Sequence, residues 1–319
     1  MRIGFYLQWN VGHLDKRKGN ILGDELFASS MVKSISKSNF VKTVDIYGPN
    51  KPPREKLDYM IYLSPILANE NYARKNVFYM QNGFSQGSET VLKNMENKNY
   101  DGFIFISEKL RKIAFERSLK SLFLPFGVDL SVFYPRERIA KYEFDVAYVG
   151  NDIKGDSRTT QFLYPAVNFN FGLFGNWKLS LLDLLRHKFI MPKYKKVFRQ
   201  LSKGKIPQSD VPILYSSARI NLNCTLQDCV DWDVITLRTY EVLACKGFLI
   251  SDRVAVAEAE LKDCVAFNDG GDDLIEKIKY YLSHPNKAKS IAENGYKHVI
   301  KCASIEARMK ELLNFLEGL

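Results

Sequence analysis

The chain has few of the residues that build disulfide frameworks and metal sites. Its 319 residues contain five cysteines and four histidines, with no Cys-x-x-Cys pair and no metal-ligand spacing among the histidines. The odd number of cysteines, several of them in apolar runs, predicts free buried thiols in a reducing cytosol. The sequence therefore predicts neither a disulfide framework nor a zinc site.

Long hydrophobic runs are also missing. No apolar run approaches the ~20 residues of a membrane span, and the stretch 1–7 leads directly to polar Gln8 and Asn10, unlike a signal peptide. There is no low-complexity tract, 46% of the residues are hydrophobic, and the length suits about two domains. We expect a globular cytoplasmic protein, and these features leave open a peripheral contact with the inner face of the cell membrane.

Acidic residues are in deficit. Lys and Arg number 46 against 36 Asp and Glu, which gives a net charge of +10. A charge of this sign favours a polyanionic partner, which is either nucleotide phosphates, an anionic membrane surface or nucleic acid. A solvated basic surface is the alternative explanation for most individual lysines.

Short apolar runs alternate with helical or loop segments along the whole chain. Near-continuous apolar strands between helices are typical of parallel sheets covered on both faces, so the pattern predicts an α/β fold. The runs are 3–7, 44–47, 59–63, 77–80, 103–106 and 122–124, then 144–149, 168–174, 220–223, 248–251 and 265–268. A loop rich in Pro and Gly, residues 124–135, separates the two series and predicts a domain boundary near residues 134–141.

The stretch from Asp233 to Ser251 has the most specific pattern. Seven residues separate Asp233 from Glu241, apolar positions from Leu237 onward follow helical spacing, and Gly247 precedes the buried run 248–251. The N-terminus of such a helix offers N–H groups to a diphosphate. A carboxylate one turn further in accepts hydrogen bonds from a ribose diol, so the unit suits a nucleotide.

This stretch resembles the C-terminal signature of GT-B glycosyltransferases, close to family four and to the spore-maturation-type branch. In that signature an acid, seven residues and a Glu precede a helix, Ala-Cys-x-Gly and an apolar strand; Asp233 stands in place of the usual first Glu, and Glu241 matches the second. The loop at 125–135 resembles the family's Pro-x-Gly-Val-Asp-x-x-x-Phe-x-Pro linker. The resemblance covers most of the chain and is strongest from 124 to 298.

The resemblance implies an α/β, GT-B architecture of two Rossmann-like doubly wound domains that face a central cleft. The acceptor-side domain would comprise residues 1–134 and the nucleotide-sugar domain residues 135–304. A last helix, 305–319, would pack back toward the first domain.

The implied reaction moves a sugar from a nucleotide-diphosphate sugar, with UDP or GDP as the nucleotide, to a hydroxyl of a glycan or lipid-linked acceptor. It would proceed with retention, without metal and without another cofactor. Asp231-Trp232-Asp233 spells a metal-binding Asp-x-Asp, but it coincides with the acid register described above. A nucleotide-sugar epimerase or hydrolase of the same fold is the alternative, and a basic nucleic-acid-binding protein is a weaker one.

The resemblance also implies roles for individual residues. Glu241 would bind the ribose, Asp233 would face the donor sugar, and Arg238 would pair with diphosphate oxygens, against the alternative of a salt bridge from Arg238 to either acid. Further donor-side candidates lie at predicted strand ends and at the helix start: Gly150, Asn151, Lys154, Arg158, Asn223, Thr225 and Thr239. Lys154 and Arg158 compete for one basic role, and the sequence leaves that choice open.

Candidates on the acceptor side lie in the first half of the chain. They are His13, Gly23 and Asp24, around a Gly-containing loop before a helix, and Gln81 and Asn82 after the run 77–80. At the place of Gln81 and Asn82 the family keeps a sugar-contacting polar residue, but this chain has no His there. His13 is the substitute candidate, with a plain surface histidine as the alternative.

The segment 177–205 combines strong positive charge with interleaved apolar residues. Asp183 is its one acid, set against nine Lys and Arg. Such a stretch can lie on an anionic membrane, which would suit a lipid-linked acceptor. The alternative is a core-packed helical pair with a basic solvent face.

Overall fold

A computed structural model describes residues 1–12, 23–81, 96, 98–178 and 192–319. Two of the acceptor-side candidates, His13 and Asn82, lie outside these residues, as does the part of the basic segment from 179 to 191. The chain forms two compact units. The first comprises Met1–Asp129 with Ser304–Leu319, and the second comprises Leu130–Ala303.

The first unit is built on a parallel sheet that, in the described part of the chain, has six strands. The strands are β1 (Arg2–Tyr6), β2 (Thr43–Tyr47), β3 (Leu57–Tyr62), β4 (Ala73–Met80), β5 (Gly102–Phe105) and β6 (Ser121–Phe123). Their spatial order is β2-β1-β3-β4-β5-β6 and every paired register is parallel. Because β2 and β3 lie on opposite sides of β1, the strand order reverses between β1 and β3.

Three helices of the first unit are described. They are α1 (Gly23–Ile35), α2 (Glu108–Glu116) and, from the end of the chain, α11 (Ile305–Glu317). Ser107 caps α2 by accepting a hydrogen bond from the N–H of Leu110, and Ser304 caps α11 through the N–H of Ala307. A short parallel bridge joins Val128 to Ser304, which fixes the start of α11 within this unit.

The second unit repeats the plan with five strands among the described residues. They are β7 (Val146–Val149), β8 (Phe171–Phe174), β9 (Ile220–Asn223), β10 (Leu249–Asp252) and β11 (Ala266–Asn268). The spatial order is β11-β10-β9-β7-β8, again with parallel pairing throughout. Because β8 lies on one side of β7 and β9 on the other, the strand order reverses between β7 and β9. We call this place the switch point.

Helices on both faces cover this second sheet. They are α3 (Asp156–Phe162), α4 (Lys193–Leu201), α5 (Val211–Ser217), α6 (Gln227–Asp231), α7 (Leu237–Ala244), α8 (Ala255–Glu260), α9 (Gly271–Ser283) and α10 (Pro285–Cys302). The strands of the sheet are almost wholly buried. The predicted α/β class with parallel sheets is confirmed.

Helix α4 resolves part of the ambiguity of the basic segment. Tyr194 and Phe198 are buried, and Phe198 packs edge-on against Trp177 with ring centroids 5.0 Å apart. These apolar side chains belong to the core of the second unit, as the core-packed alternative predicts for this part of the segment, and contact of 177–205 with a membrane stays a prediction. Lys195, counted with the basic face, is buried as well. None of the helices in the described residues has the length and apolar character of a membrane span.

Candidate functional site

Doubly wound sheets bind ligands beyond the carboxyl ends of their strands, at the point where strand order reverses. In the second unit this place lies at the ends of β7 and β9, with the end of β10 beside them. The loop after β7 carries Gly150, Asn151 and Lys154, whereas β9 leads into Asn223 and Thr225. We call the side chains around these strand ends the switch-point site.

Asp252, the last residue of β10, organises the base of the site. Its buried carboxylate accepts hydrogen bonds from the backbone N–H of Thr225 at 3.1 Å and from the Thr225 hydroxyl at 3.0 Å. The guanidinium of Arg158 forms an ion pair with the same carboxylate. Burial raises the pKa of Asp252, while Arg158 and the Thr225 donors act in the opposite direction. Asp252 was not among the residues predicted from the sequence, although a charged residue at the end of a buried apolar run is a signal that could have found it.

Arg158 is fully engaged in this framework. Besides the ion pair with Asp252, its Nε donates to the carbonyl oxygen of Thr225 at 2.6 Å and its Nη1 donates to Gln227 Oε1 at 2.9 Å. It lies on α3 and joins that helix to the ends of β9 and β10. Of the two basic candidates, Arg158 is therefore the one whose donors already have protein partners.

Lys154 is in the opposite situation. The loop after β7 carries it, it is partly buried, and it makes no hydrogen bond or ion pair with the described residues. Burial, together with repulsion from Arg238, lowers the pKa of Lys154 to about 8. A lysine held in this way remains mostly charged at neutral pH, and a partly buried charge without a paired acid favours the binding of an anion.

Arg238 lies in the first turn of α7 and points to the same strand ends. Its Nη1 donates to Asn223 Oδ1 at 3.0 Å, and its guanidinium lies 5.0 Å from the centre of the Tyr148 ring, a cation–π contact. Among the described residues it forms no ion pair with Asp233 or Glu241, so the salt bridge considered as an alternative is absent there. Two cations thus converge on the switch point.

Asn223 and Thr225 form part of the hydrogen-bonded floor beneath these cations. The Asn223 amide donates to Thr225 Oγ1 and to Ser251 Oγ, each at 3.1 Å, while its oxygen accepts a hydrogen bond from Arg238. Cys224 lies between them in the chain and is wholly buried, and burial raises the pKa of its thiol to about 12. The end of β9 therefore carries no charged side chain of its own, and its polar groups contact Arg238 and Asp252.

Glu241 lies one turn into α7, as the helical spacing predicts. Its side chain is partly buried. Desolvation raises the pKa of its carboxyl to about 7, even though Arg238 acts in the opposite direction. Near neutral pH the carboxyl therefore exchanges between its protonated and charged forms. A hydrogen-bond donor placed against it would favour the charged form.

The remaining residues of this stretch have local structural roles that are visible in the geometry. Asp233 adopts a left-handed backbone conformation with φ of 53° in the connection between α6 and α7. Asp tolerates that region better than Glu, which gives a conformational reason for Asp at this position. Thr239 is buried in the first turn of α7, and its hydroxyl lies 3.3 Å from that of Thr236.

Gly150 and Asn151 hold the loops after β7 and β8 together. Asn151 Oδ1 accepts a hydrogen bond from the N–H of Asn176 at 2.8 Å. A Cβ on Gly150 would lie 2.7 Å from the Tyr148 hydroxyl. Gly175, with φ of 130°, would carry a Cβ only 2.0 Å from the Gly150 carbonyl oxygen. Asn151, predicted to contact the donor, has its side-chain oxygen bound to this neighbouring loop.

The described acceptor-side candidates lie in the first unit. Gly23 begins α1 and Asp24 is in its first turn. Gln81 follows β4, is buried, and its side-chain N–H₂ has no hydrogen-bond partner among the described residues. The neighbouring Glu25, which the sequence analysis did not select, is buried and accepts the N–H of Gly12 at 2.7 Å.

Comparison with known proteins gives independent information on the family. A family model described as glycosyl transferase-like matches residues 158–314, the part of the chain that includes most of the switch-point site. No curated protein matches the chain significantly.

Several solved structures superpose over almost the entire chain. Anabaena HepE in complex with UDP-glucose gives a TM-score of 0.69 at 12% identity and covers 100% of both chains. T4 phage BGT in complex with its UDP-glucose substrate gives 0.64 at 15% identity, also over 100% of both chains. Sucrose-phosphate synthase from Thermosynechococcus elongatus gives 0.65 at 13% identity, over 99% of this chain and 98% of that one.

At these identities the superpositions show the fold alone. The fold is that of the GT-B glycosyltransferases, with one parallel sheet in each unit. The family match, which covers residues 158–314, is therefore to glycosyl transferase-like proteins, and the superpositions add the GT-B fold over the whole chain. The predicted place in the spore-maturation-type branch stays a prediction.

Proposed function

We propose that the protein transfers a sugar from a nucleotide-diphosphate sugar to a hydroxyl group, with UDP as the first nucleotide to test. The observation that carries this proposal is the pair of cations, Lys154 and Arg238, at the switch point of the second unit. Neither forms an ion pair with an acid in the described part of the chain. The GT-B relatives bound to UDP-glucose support the same ligand class.

In the proposed donor complex each group has a distinct task. Lys154 and Arg238 would hold the diphosphate, and the free N–H groups at the start of α7 would add a favourable dipole. Glu241 would accept hydrogen bonds from the ribose diol, which would draw its carboxyl into the charged form. Asp233, in the connection before α7, would contact the donor sugar.

The chemical step places new negative charge on the leaving diphosphate. Fixed cations and N–H dipoles at that position stabilise the transition state more than the ground state. We propose retention of configuration, with the departing phosphate taking the acceptor proton on the same face, so that no protein nucleophile is required. We also propose that the cations supply this stabilisation without a metal or another cofactor.

For the acceptor we propose a hydroxyl of a glycan or of a lipid-linked sugar, presented in the cytoplasm. The exposed basic residues of α4 and the following loop support an encounter with an anionic membrane surface through charge rather than through apolar insertion. These residues are Lys193, Lys196, Arg199, Lys203 and Lys205.

Binding and turnover test the proposal in two steps. Thermal unfolding of the purified chain is measured with UDP, GDP, CMP and ADP, and a ligand at ~100 times its dissociation constant adds about 2.7 kcal/mol to stability. We expect UDP or GDP to stabilise the wild type. Lys154→Met and Glu241→Ala are expected to abolish the shift, and Lys289→Met, an exposed lysine on α10, is expected to keep it.

Turnover then separates the reaction classes. Release of UDP from UDP-glucose that requires an added acceptor would support transfer. Acceptor-independent release would instead indicate the hydrolase alternative, and interconversion of the sugar would indicate the epimerase. A wild type that none of the four nucleotides stabilises would contradict the proposed donor site.

A further inference from the structure

The loop that carries Lys154 is held by two acids, one on each side of the lysine. Asp152 precedes Lys154 by two residues and Asp156 follows it by two. Both acids contact the same pair of residues on α4, although α4 lies about forty positions further along the chain. The contacts therefore connect the loop to a separate helix of the second unit.

The contacts are short and complementary. Tyr194 donates its hydroxyl to Asp156 Oδ1 at 2.6 Å, and the same oxygen lies 3.1 Å from Asp152 Oδ1. The Lys195 ammonium lies 2.9 Å from Asp152 Oδ2 and 3.8 Å from Asp156 Oδ1. Burial and the two carboxylates raise the pKa of Tyr194, so its hydroxyl remains protonated and able to donate.

The residues that support these contacts are packed in the core of the unit. Tyr194 and Lys195 are buried, and the Tyr194 ring packs edge-on against Phe198 at 5.6 Å between centroids. Phe198 in turn packs against Trp177 in the core of the unit. A buried lysine is costly unless it is paired, so Lys195 has a strong preference for the position between the two acids.

The electrostatic consequence concerns the ligand. Two uncompensated carboxylates, each two residues from Lys154, would repel a diphosphate bound there, and solvent would screen the repulsion less at Asp152, whose side chain is 19% exposed, than at Asp156, whose side chain is 44% exposed. The ammonium of Lys195 offsets one negative charge, and the hydrogen bond from the Tyr194 hydroxyl disperses the charge of Asp156. The loop then presents the charge of Lys154 with less opposition from its own acids.

We propose that Tyr194 and Lys195 are positioning residues that fix the Lys154 loop and neutralise Asp152 and Asp156 for diphosphate binding. This inference rests on the proposed function, because it assigns the diphosphate to Lys154. It is specific to charge: it predicts an effect on the phosphate part of the ligand and none on the nucleoside part.

The experiment compares UDP with uridine by calorimetric titration of the full chain. Lys195→Gln is expected to weaken UDP binding about three- to tenfold, since one carboxylate becomes uncompensated at partly screened range, and to leave uridine binding unchanged. Adding Asp152→Asn to Lys195→Gln is expected to restore most of the UDP affinity. Tyr194→Phe keeps the buried ring and is expected to weaken UDP binding in the same sense, and it replaces Lys195→Gln as the test if the latter does not fold.

Each other outcome has a defined meaning. Unchanged UDP affinity in both Lys195→Gln and Tyr194→Phe would overturn the inference, as would an equal loss for UDP and uridine, which is the signature of a merely structural role. Lys289→Gln, far from the acids in sequence and exposed, is the matched lysine control and is expected to bind UDP as the wild type does. A wild type that binds neither UDP nor uridine would instead contradict the proposed function and, with it, the premise of this inference.

Discussion

Glu241 illustrates how one side chain can couple pH to stability. In the unfolded chain a Glu titrates near 4.3, whereas burial raises the pKa of Glu241 to about 7 in the folded protein. Between these values the folded state holds a proton that the unfolded state releases. Stability therefore falls as pH rises through this window, and the loss is complete above about pH 7.

Glu241→Gln removes this penalty because the amide never ionises. We expect the variant to gain stability over the wild type as pH rises from 5 to 8, by on the order of 2 kcal/mol after allowance for partial exposure. Urea unfolding at the two pH values measures the gap. Glu276→Gln, at an exposed position on α9, is measured in parallel as the surface control for the same substitution. A constant gap for Glu241→Gln would contradict the assigned desolvation.

The pairing of individual side chains could be predicted only in part from the sequence. It placed Glu241, Arg238 and Lys154 among the candidates because each stands in a recognisable local pattern. It did not separate Lys154 from Arg158, because the partner that occupies Arg158 is Asp252, which lies 94 positions away. The burial of Lys195 has the same cause, since its partner Asp152 lies 43 positions away and no local pattern shows that pairing.

At the scale of elements, the crossing of the loops after β7 and β8 depends on glycine. Gly175 has φ of 130°, and an added Cβ would lie 2.0 Å from a carbonyl oxygen, which is backbone and has little freedom to move. We expect Gly175→Ala to destabilise the protein by more than about 2 kcal/mol, from strain and overlap together. Urea unfolding monitored by circular dichroism measures the loss.

Gly204→Ala provides the matched control for this prediction. Gly204 also has a positive φ, of 75°, but no described atom lies within 4 Å of the position that a Cβ would take there. Its substitution should cost only the backbone term, about 1 kcal/mol. Equal losses in the two variants would mean that the close approach of the two loops contributes nothing.

The strands were predicted better from the sequence than the contacts of single residues. Each of the apolar runs in the two series became a strand of a parallel sheet, within one to three residues at its ends for most runs, because buried parallel strands need continuous apolar stretches. Helix α3 had no such signal: its residues 156–162 follow a Gly-containing stretch that is typical of a plain loop. That helix orients Arg158, and its contact with the strand ends is tertiary.

At the scale of the whole molecule, the net charge of +10 predicts a salt-sensitive attraction to anionic surfaces. We expect the protein to co-sediment with vesicles that contain phosphatidylglycerol and not with pure phosphatidylcholine. Each basic residue near the surface contributes about 1 kcal/mol. The triple variant Lys193→Gln, Lys196→Gln, Arg199→Gln should therefore bind at least about tenfold more weakly, and UDP binding should not change.

Two results of the vesicle measurement would contradict this prediction. Equal binding to neutral and anionic vesicles, or binding that is unaffected by the triple substitution, would exclude an electrostatic role for the exposed face of α4. The buried positions of Tyr194 and Phe198 already remove apolar insertion by that helix. Sequence alone could not make this distinction, because interleaved apolar and basic residues are equally typical of a helix on a membrane and of one on a core.

The alkylation rate of the buried Cys224 thiol can measure how often the second unit opens locally. The thiol lies at the end of β9, between the two polar residues of the site floor, and its ionisation is suppressed by burial. Alkylating reagents attack the thiolate, so they reach this sulfur only in molecules whose strand end has opened. The rate of alkylation of Cys224 therefore reports the frequency of local opening at the switch point. A ligand that binds there and holds the strand end closed lowers this rate in proportion to the fraction of sites it occupies.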